Sequence, residues 1–342
     1  VIGASARTDV YLGVNVSNNI IRANHGVSRT SLSTMWFCGI YMGGAFPGAK
    51  ITDNQIVNND TKFNDTAHGN GGIVVDNAVA YAGVADTGVH IANNNIAFMN
   101  VNAVDSTGSP VWDKQAGILL VGRSDFAVIE NNMIKLQSRL ETGGGRYGFM
   151  HGILVGQIAV LTNAAQKLAI RGNTIEGCTV DPTVTTPGTV GAAIQICGNA
   201  VDIDILDNSI KGIFVAHPSY TLPALTSYIT VSVESAASHT NVTITGNKLN
   251  GLSSATFTGV PGVQLGAGIR VGSIACSASS NVSINDNHLD VQLNSAASLT
   301  HSSAIVLEAL DAGVTASGSH AQISNNFVRR IDQDGVQRSR GI

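Results

Sequence analysis

The stretch VNVSNNII, residues 14–21, places apolar residues on both sides of a pair of asparagines. Relative to Asn19, Val16 lies three residues earlier, Val14 five residues earlier and Ile21 two residues later. The same frame returns in AKITDNQI, VHIANNNI, AVIENNMI, LAIRGNTI, IDILDNSI, VTITGNKL, VSINDNHL and AQISNNFV. The nine reference asparagines, spaced 35 to 41 residues apart, are Asn19, Asn54, Asn94, Asn132, Asn173, Asn208, Asn247, Asn287 and Asn326. A period of this length indicates a solenoid or another repeat architecture.

Each repeat contains two short strands separated by a sharp corner. Apolar residues two positions apart, such as Val242 and Ile244, are typical of a strand with one buried face. The residue before each reference asparagine is always Asn, Asp or Gly, the types that best tolerate a left-handed backbone. The sequence therefore predicts a corner at Asn18, Asp53, Asn93, Asn131, Gly172, Asp207, Gly246, Asp286 and Asn325.

A second recurring phrase predicts a third strand in each repeat. It is spelled GIYMGG from Gly39, GIVVD from Gly72, GILLVG from Gly117, GILVG from Gly152, AIQICG from Ala193, GIRVG from Gly268 and AIVLE from Ala304, with YITVSV from Tyr228 as the looser member. Three short strands per repeat make one coil of a parallel β-helix. A single coil cannot bury its apolar face, whereas stacked coils enclose a continuous core.

The reference asparagine has a physical role at such a corner. Backbone groups at a buried corner lack partners in a sheet and need other hydrogen bonds. A stack of identical amide side chains, each bonded to the coils above and below, supplies them. Solvated turns would explain an occasional NN or DN pair without a ladder, but nine matches in one frame favour the ladder.

This pattern resembles the right-handed parallel β-helix superfamily, which includes pectate lyases, polygalacturonases, alginate-modifying enzymes and many phage tailspike domains. The resemblance covers nearly the whole chain and is specific for the fold, because one fold hosts many functions. We therefore expect an all-β, single-stranded, right-handed parallel β-helix of about nine coils with an asparagine ladder. Coils about 4.8 Å apart would make a rod roughly 40 Å long.

We expect residues 1–342 to form one domain. Both ends of the sequence lie inside a coil, and neither shows the cap that a stack needs to protect its core and its strand edges. The chain is therefore expected to be part of a longer polypeptide, or to have its ends covered by partner chains.

Composition argues against several partners. Charged residues make up 12% of the chain, against roughly 25% in typical soluble domains. A net charge of -4 and no cluster of Lys and Arg disfavour nucleic acid, and no apolar run is long enough to span a membrane. No cofactor or metal site is predicted. The four cysteines, Cys38, Cys178, Cys197 and Cys276, fall in different repeats and are interpreted as small buried residues.

Two long loops between successive coils gather the best candidates for chemistry. The loops are FMNVNAVDSTGSPVWDKQ from Phe98 and LQSRLETGGGRYGFMH from Leu136. The resemblance implies a groove along an outer sheet, walled by such loops. The candidate catalytic residues are Asp113, Lys114, Arg146 and His151, and the candidate substrate-binding residues are Trp112, Tyr147, Arg139 and Glu141.

An aromatic ring, bases and carboxylates on adjacent loops suit the binding of a sugar chain with acid and base catalysis. Taken alone, each of these residues is better explained as a solvated loop charge, a turn cap or a hydrogen-bonded corner residue. Family motifs do not decide the question, because the paired aspartates and GHG-type histidine of polygalacturonases, the DPHD-like run of alginate epimerases and the arginine motif of pectate lyases are absent.

The residues after the Gly-Ile isoleucines are predicted to point outward. They are Tyr41, Val74, Leu119, Leu154, Gln195, Thr230, Arg270 and Val306. An apolar stripe of this kind normally marks a covered surface. The cover would be the chain's own loops, a missing domain or sister subunits in a trimer, as the tailspike resemblance implies. The alternative is that β-branched and aromatic residues simply favour strands on both faces.

Two functions follow from these observations. The first is a rigid structural or carbohydrate-recognition module of a larger extracellular or phage-tail-like assembly. The second is a polysaccharide lyase or glycoside hydrolase that acts in a groove beside the Gly-Ile sheet. The missing family motifs and the scarcity of charge favour the first.

Overall fold

The computed structural model describes the strands and corners of the repeat. The described residues are 2–3, 12–23, 37–44, 46–58, 61–63, 70–77, 88–99, 101–103, 115–122, 124–137, 151–156, 164–177, 192–197, 199–212, 227–232, 240–250, 267–275, 280–292, 302–310, 320–331 and 339–340.

Three long sheets run along the molecule. The Gly-Ile sheet contains the strands Ile2–Gly3, Phe37–Gly43, Asn70–Asn77, Gln115–Gly122, His151–Val155, Ile194–Ile196, Ser227–Ser232, Ala267–Ala275, Ser302–Leu310 and Ser339–Arg340. The incoming sheet, whose strands lead into the asparagine corner, contains Asn15–Ser17, Lys50–Thr52, His90–Ala92, Val128–Glu130, Ala164–Arg171, Asn199–Leu206, Thr240–Thr245, Ser280–Asn285 and His320–Ser324. The outgoing sheet, whose strands leave that corner, contains Ile20–Ala23, Gln55–Asn58, Asn95–Met99, Met133–Gln137, Thr174–Glu176, Ser209–Lys211, Lys248–Asn250, His288–Gln292 and Phe327–Ile331. A further pair of strands, Thr61–Phe63 and Val101–Ala103, forms a small sheet.

All of these strands pair in parallel with the equivalent strand of the next repeat. Ile96 of the outgoing sheet, for example, pairs with Ile56 on one side and Ile134 on the other. The register keeps each reference position opposite its counterpart, so the chain winds as a solenoid and the predicted parallel β-helix is confirmed. The handedness of the winding and the number of coils in the whole protein stay predictions.

Isoleucine columns fill the interior. Alternation along each strand buries one side chain and turns the next outward, as in Ser209–Lys211, where only Ile210 is buried. Inward residues from the three sheets form one core cluster, which includes Ile118, Ile129 and Ile134. Since equivalent positions stack at the strand spacing of about 4.8 Å, each isoleucine packs on those above and below it, and one coil depends on its neighbours.

The asparagine corner adopts the predicted left-handed backbone in every repeat. The residues before the reference asparagines have φ between 53° and 71°, as predicted from their Asn, Asp and Gly identities. The sharp corner separates the incoming strand from the outgoing strand and points the following asparagine into the interior.

The nine asparagines form the predicted ladder. In each step, the backbone N–H and the side-chain Nδ2 of one asparagine donate to Oδ1 of the next, at 3.0–3.1 Å and 2.9–3.0 Å respectively. Nδ2 also reaches back to a carbonyl of the preceding coil, as from Asn132 to Ile91 at 2.9 Å. The amides from Asn54 to Asn287 are buried, so the ladder satisfies corner groups that water does not reach.

Glycine precedes the inward isoleucine of several Gly-Ile strands for steric reasons. A Cβ on Gly117 would lie 2.5 Å from Cγ2 of Ile134 and 2.8 Å from the carbonyl oxygen of Gly152. A Cβ on Gly72 would meet Ile96 and the carbonyl of Gly117 in the same way. The strand therefore passes close to an inward isoleucine and to the next coil, which explains why the Gly-Ile phrase recurs.

A second left-handed corner, which was not predicted, lies just before the strand Val128–Glu130 and within the strands Ala164–Arg171 and Asn199–Leu206. Phe126, Lys167 and Asp202 have φ of 57°, 54° and 56° in three successive coils. Phe and Lys seldom adopt this conformation, so their side chains gave no signal for a corner. Nζ of Lys167 lies 5.0 Å from the centre of the Phe126 ring, a cation–π contact that joins two coils.

Candidate functional site

Only one residue of the predicted catalytic cluster, His151, lies within the described residues. His151 begins the strand His151–Val155, is 1% exposed, and has Nδ1 3.2 Å from the carbonyl oxygen of Ala192. The remaining candidates lie outside the described residues: Trp112, Asp113, Lys114, Arg139, Glu141, Arg146 and Tyr147. The cluster therefore stays a prediction.

Part of the outer face of the Gly-Ile sheet is apolar and buried. Val74, Ala116, Leu119, Val121, Leu154 and Cys197 form a second hydrophobic cluster, against which Cys38 and Tyr41 pack. Val74, Leu119 and Leu154 are fully inaccessible within a single chain, so their burial does not require a sister subunit. Burial raises the pKa of Cys38 to about 12, which keeps this thiol protonated and unreactive near neutral pH.

Charged side chains join three coils on the outer face of the incoming sheet. Oε1 of Glu130 lies 2.7 Å from Nε2 of His90, and Oε2 accepts a hydrogen bond from Nε of Arg171 at 2.7 Å. The hydrogen bond from Arg171, helped by His90, holds the pKa of Glu130 below its usual range. Because both carboxylate oxygens are engaged and the pKa is low, Glu130 is a poor proton acceptor. We interpret the trio as a clamp between coils.

The outer face of the outgoing sheet presents two rows of side chains along the stack. The first row consists of the residues directly after the ladder asparagines: Ile20, Gln55, Asn95, Met133, Thr174, Ser209, Lys248, His288 and Phe327. The second row lies two residues further along each strand: Arg22, Val57, Ala97, Lys135, Glu176, Lys211, Asn250, Asp290 and Arg329. Both rows are exposed or half-buried, and an inward isoleucine, leucine or valine separates them on each strand.

Three adjacent strands at one end of these rows carry an exposed aromatic pair. The rings of His288 and Phe327 stack with centroids 4.6 Å apart and an interplanar angle of 25°. Phe327 is 54% exposed although it is large and apolar. Beside the rings, Nε of Arg329 donates to Oδ1 of Asp290 at 3.0 Å, and Nη2 bonds the other carboxylate oxygen. We call the six residues Lys248, Asn250, His288, Asp290, Phe327 and Arg329 the aromatic patch.

Ion pairs continue along the second row. Nζ of Lys211 lies 2.8 Å from Oε1 of Glu176, and Nζ of Lys135 lies 3.8 Å from Oε2 of the same carboxylate. Glu176 thus lies between two lysines in successive coils. The two rows together carry five cations, Arg22, Lys135, Lys211, Lys248 and Arg329, and two carboxylates, Glu176 and Asp290.

The aromatic patch was not predicted from the sequence, although a signal for it exists. Each patch residue lies one or three positions after a reference asparagine, on a strand that was correctly predicted. Reading the position after the asparagine from repeat to repeat, instead of along each repeat, places His288 beside Phe327.

No group of three His, Cys, Asp or Glu side chains that could hold a metal ion occurs in the described part of the chain. Within the same residues, there is no helix long and apolar enough to cross a bilayer. No protein-family model, curated protein or solved structure matches this chain.

Proposed function

We propose that this domain is a rigid β-helical module that recognises carbohydrate on the outer face of its outgoing sheet, within a larger extracellular or phage-tail-like assembly. The observation that carries the proposal is the exposed His288–Phe327 stack, which lies among amide, carboxylate and cationic side chains. An exposed aromatic pair on a sheet face provides an apolar surface that another molecule can cover.

The chemistry of the aromatic patch suits a sugar ring. A pyranose has an apolar C–H face, which packs on an aromatic ring, and a rim of hydroxyl groups that need hydrogen-bond partners. His288 and Phe327 supply an exposed apolar surface, whereas Asn250, Asp290 and Arg329 supply donors and acceptors in the second row.

Rigidity supports the same proposal. The patch lies on three hydrogen-bonded strands that follow directly after ladder asparagines, so its side chains are spaced by the coil repeat. A preorganised surface loses little conformational entropy when a ligand binds. The Asp290–Arg329 pair adds order, because each side chain holds the other in place.

Binding to a panel of neutral and acidic polysaccharides tests the proposal. We expect at least one polymer to bind, and Phe327→Ala to weaken that binding by about tenfold, or roughly 1.4 kcal/mol. Leu12→Ala is the matched control, because Leu12 is a large apolar residue outside the two rows and is 70% exposed. The control should bind normally, and both variants should keep the wild-type melting temperature. Failure of every polymer to bind would overturn the proposal.

A further inference from the structure

We infer that the ligand is a linear, carboxylate-bearing polysaccharide that lies along the stacking axis over the two rows of the outgoing sheet. This inference rests on the proposed function and names the class of its ligand. It follows from the distribution of charge on the described side chains.

The outgoing face is positive on a negative protein. Its two rows carry five cations and two carboxylates, whereas the whole chain has a net charge of -4. The outer face of the incoming sheet provides a comparison within the molecule. Its equivalent rows carry two cations, Lys50 and Arg171, and two carboxylates, Glu130 and Asp204. Of these two faces, as the structure describes them, the outgoing face carries the excess of positive charge, and charge complementarity favours an anionic ligand.

The two carboxylates on the face are already neutralised. Glu176 is paired with Lys211 and Lys135, and Asp290 is paired with Arg329. Lys248 is exposed and has no acidic partner within the described residues. With five cations against two carboxylates, the two rows keep a net positive charge that an anionic ligand can meet.

The corner defines where an anionic chain can lie. Asp53, Asp207 and Asp286 occupy the left-handed corner positions, directly beside the first row. A chain of carboxylates is repelled by this edge and attracted by the second row, which lies two residues further from it. The path therefore runs over Lys135, Lys211 and Arg329, with Lys248 and the aromatic pair on its corner side.

The spacing of the rows favours a polymer over a small molecule. Consecutive coils repeat at about 4.8 Å, which is comparable to the length of one sugar residue in an extended chain. Lys211 and Lys248 lie on adjacent strands, so one polymer can contact both and still reach the His288–Phe327 stack. The binding free energies of several weak contacts to one polymer then add together.

A nucleic acid is the other common linear polyanion. It is disfavoured because the chain as a whole is acidic, with a pI near 6.1, and because nucleic-acid-binding domains are usually strongly basic. An acidic polysaccharide carries fewer charges per unit length and offers the C–H faces that suit the exposed aromatic pair.

Comparing the binding of carboxymethylcellulose and hydroxyethylcellulose separates the effect of charge from that of the sugar chain. Both polymers are substituted cellulose, and only the first carries carboxylates. We expect the wild-type protein to bind carboxymethylcellulose at least tenfold more tightly, and this binding to weaken as salt is added. The double variant Lys211→Gln/Lys248→Gln should lose about tenfold in affinity for carboxymethylcellulose. Lys50→Gln/Lys167→Gln removes the same charge from exposed positions off this face and should bind like the wild type.

Four results would overturn the inference. Equal binding of the two celluloses would leave carbohydrate recognition in place but remove the selection for carboxylates. Absence of binding to carboxymethylcellulose would also overturn the inference, while the wider panel still decides the proposed function. Tighter binding of a single-stranded oligonucleotide would assign the face to nucleic acid. Self-association that the Lys211→Gln/Lys248→Gln variant abolishes would assign it to a second copy of the chain.

Discussion

Asn132 and Asn173 are 41 residues apart in sequence, and Nδ2 of Asn132 donates a hydrogen bond to Oδ1 of Asn173 at 3.0 Å. The same amide of Asn132 also donates to the carbonyl of Ile91 in the preceding coil. One buried side chain therefore connects three successive coils, and the equivalent bonds recur along the corner.

Replacing Asn132 by Ala should destabilise the protein strongly. The change removes the acceptor for the backbone N–H and Nδ2 of Asn94 and leaves the carbonyl of Ile91 without its side-chain donor. Buried groups without partners cost 1–3 kcal/mol each, so we expect the free energy of unfolding to fall by about 3 kcal/mol in urea denaturation.

The control for this change is the neighbouring corner residue. Asn131 is exposed, with φ of 53°, and glycine adopts that conformation without strain. Asn131→Gly should therefore change the free energy of unfolding by less than about 0.5 kcal/mol. If Asn132→Ala changed the free energy of unfolding as little as this control, the result would contradict a buried, hydrogen-bonded role for Asn132.

Replacing Gly117 by Ala should also lower the free energy of unfolding, because the added methyl group overcrowds the packed interior. The new methyl group would lie 2.5 Å from Ile134 and 2.8 Å from the carbonyl of Gly152, so two packed coils must move apart. Overpacking of this kind costs about 1–3 kcal/mol, measurable by urea denaturation. The reverse change in another repeat, Ala193→Gly, creates no clash and should cost less than about 1 kcal/mol. Equal effects of the two variants would argue against the close approach at Gly117.

The clamp at Glu130 should make part of the stability depend on pH. Its pKa is lowered in the folded state by Arg171 and His90, so its contribution is present above the ordinary glutamate pKa and is lost as pH falls through the lowered value. At pH 7, the free energy of unfolding of the wild type should exceed that of the Glu130→Gln variant by about 0.5–1 kcal/mol. This difference should disappear as the pH falls through the lowered pKa of Glu130, because the carboxylate becomes protonated there.

Salt provides the control for the Glu130 prediction. Attraction between partly exposed charges is screened at about 1 M salt, so the difference between wild type and Glu130→Gln should also shrink there at pH 7. A difference that is constant across pH and salt would mean that Glu130 acts through packing and not through its charge.

An activity measurement tests whether the predicted catalytic cluster acts on polysaccharide. Under the proposed function, incubation with acidic and neutral polysaccharides should yield neither unsaturated products nor new reducing ends. If turnover is found, Asp113→Ala is the informative variant. His151 is 1% exposed and lies against the carbonyl of Ala192, so its replacement is expected to disturb packing whatever its chemical role. Turnover that Asp113→Ala abolishes, with an unchanged melting temperature, would favour the lyase or hydrolase alternative.

The fold was predictable because its determinants are local and repeated. The residues around Asn94 specify an incoming strand, a left-handed corner and an outgoing strand within a few positions, and nine repeats of the frame separate this pattern from chance. The superposition of Asn94 on Asn132 follows from the period alone, since one repeat makes one coil. Glycine before Ile118 marks a close approach that only the smallest residue permits.

Other features depend on contacts that no single repeat specifies. Phe126 and Lys167 adopt left-handed conformations that their residue types disfavour, so the second corner had no local signal in these two coils. The outward position of Leu119 was predicted, but its complete burial depends on the rest of the chain. The aromatic patch joins His288 to Phe327 across 39 residues, and its signal lies in the comparison between repeats.

Amide hydrogen exchange, resolved by residue, tests the central claim that the corner asparagines are stacked and bonded. The backbone N–H groups of Asn94, Asn132 and Asn173 each donate to Oδ1 of the next asparagine, so we expect them to exchange at least about a thousandfold more slowly than unprotected amides. Exchange at the rate of solvated turns at these three positions would mean that the ladder is absent, and it would contradict both the solenoid and the binding face built on it.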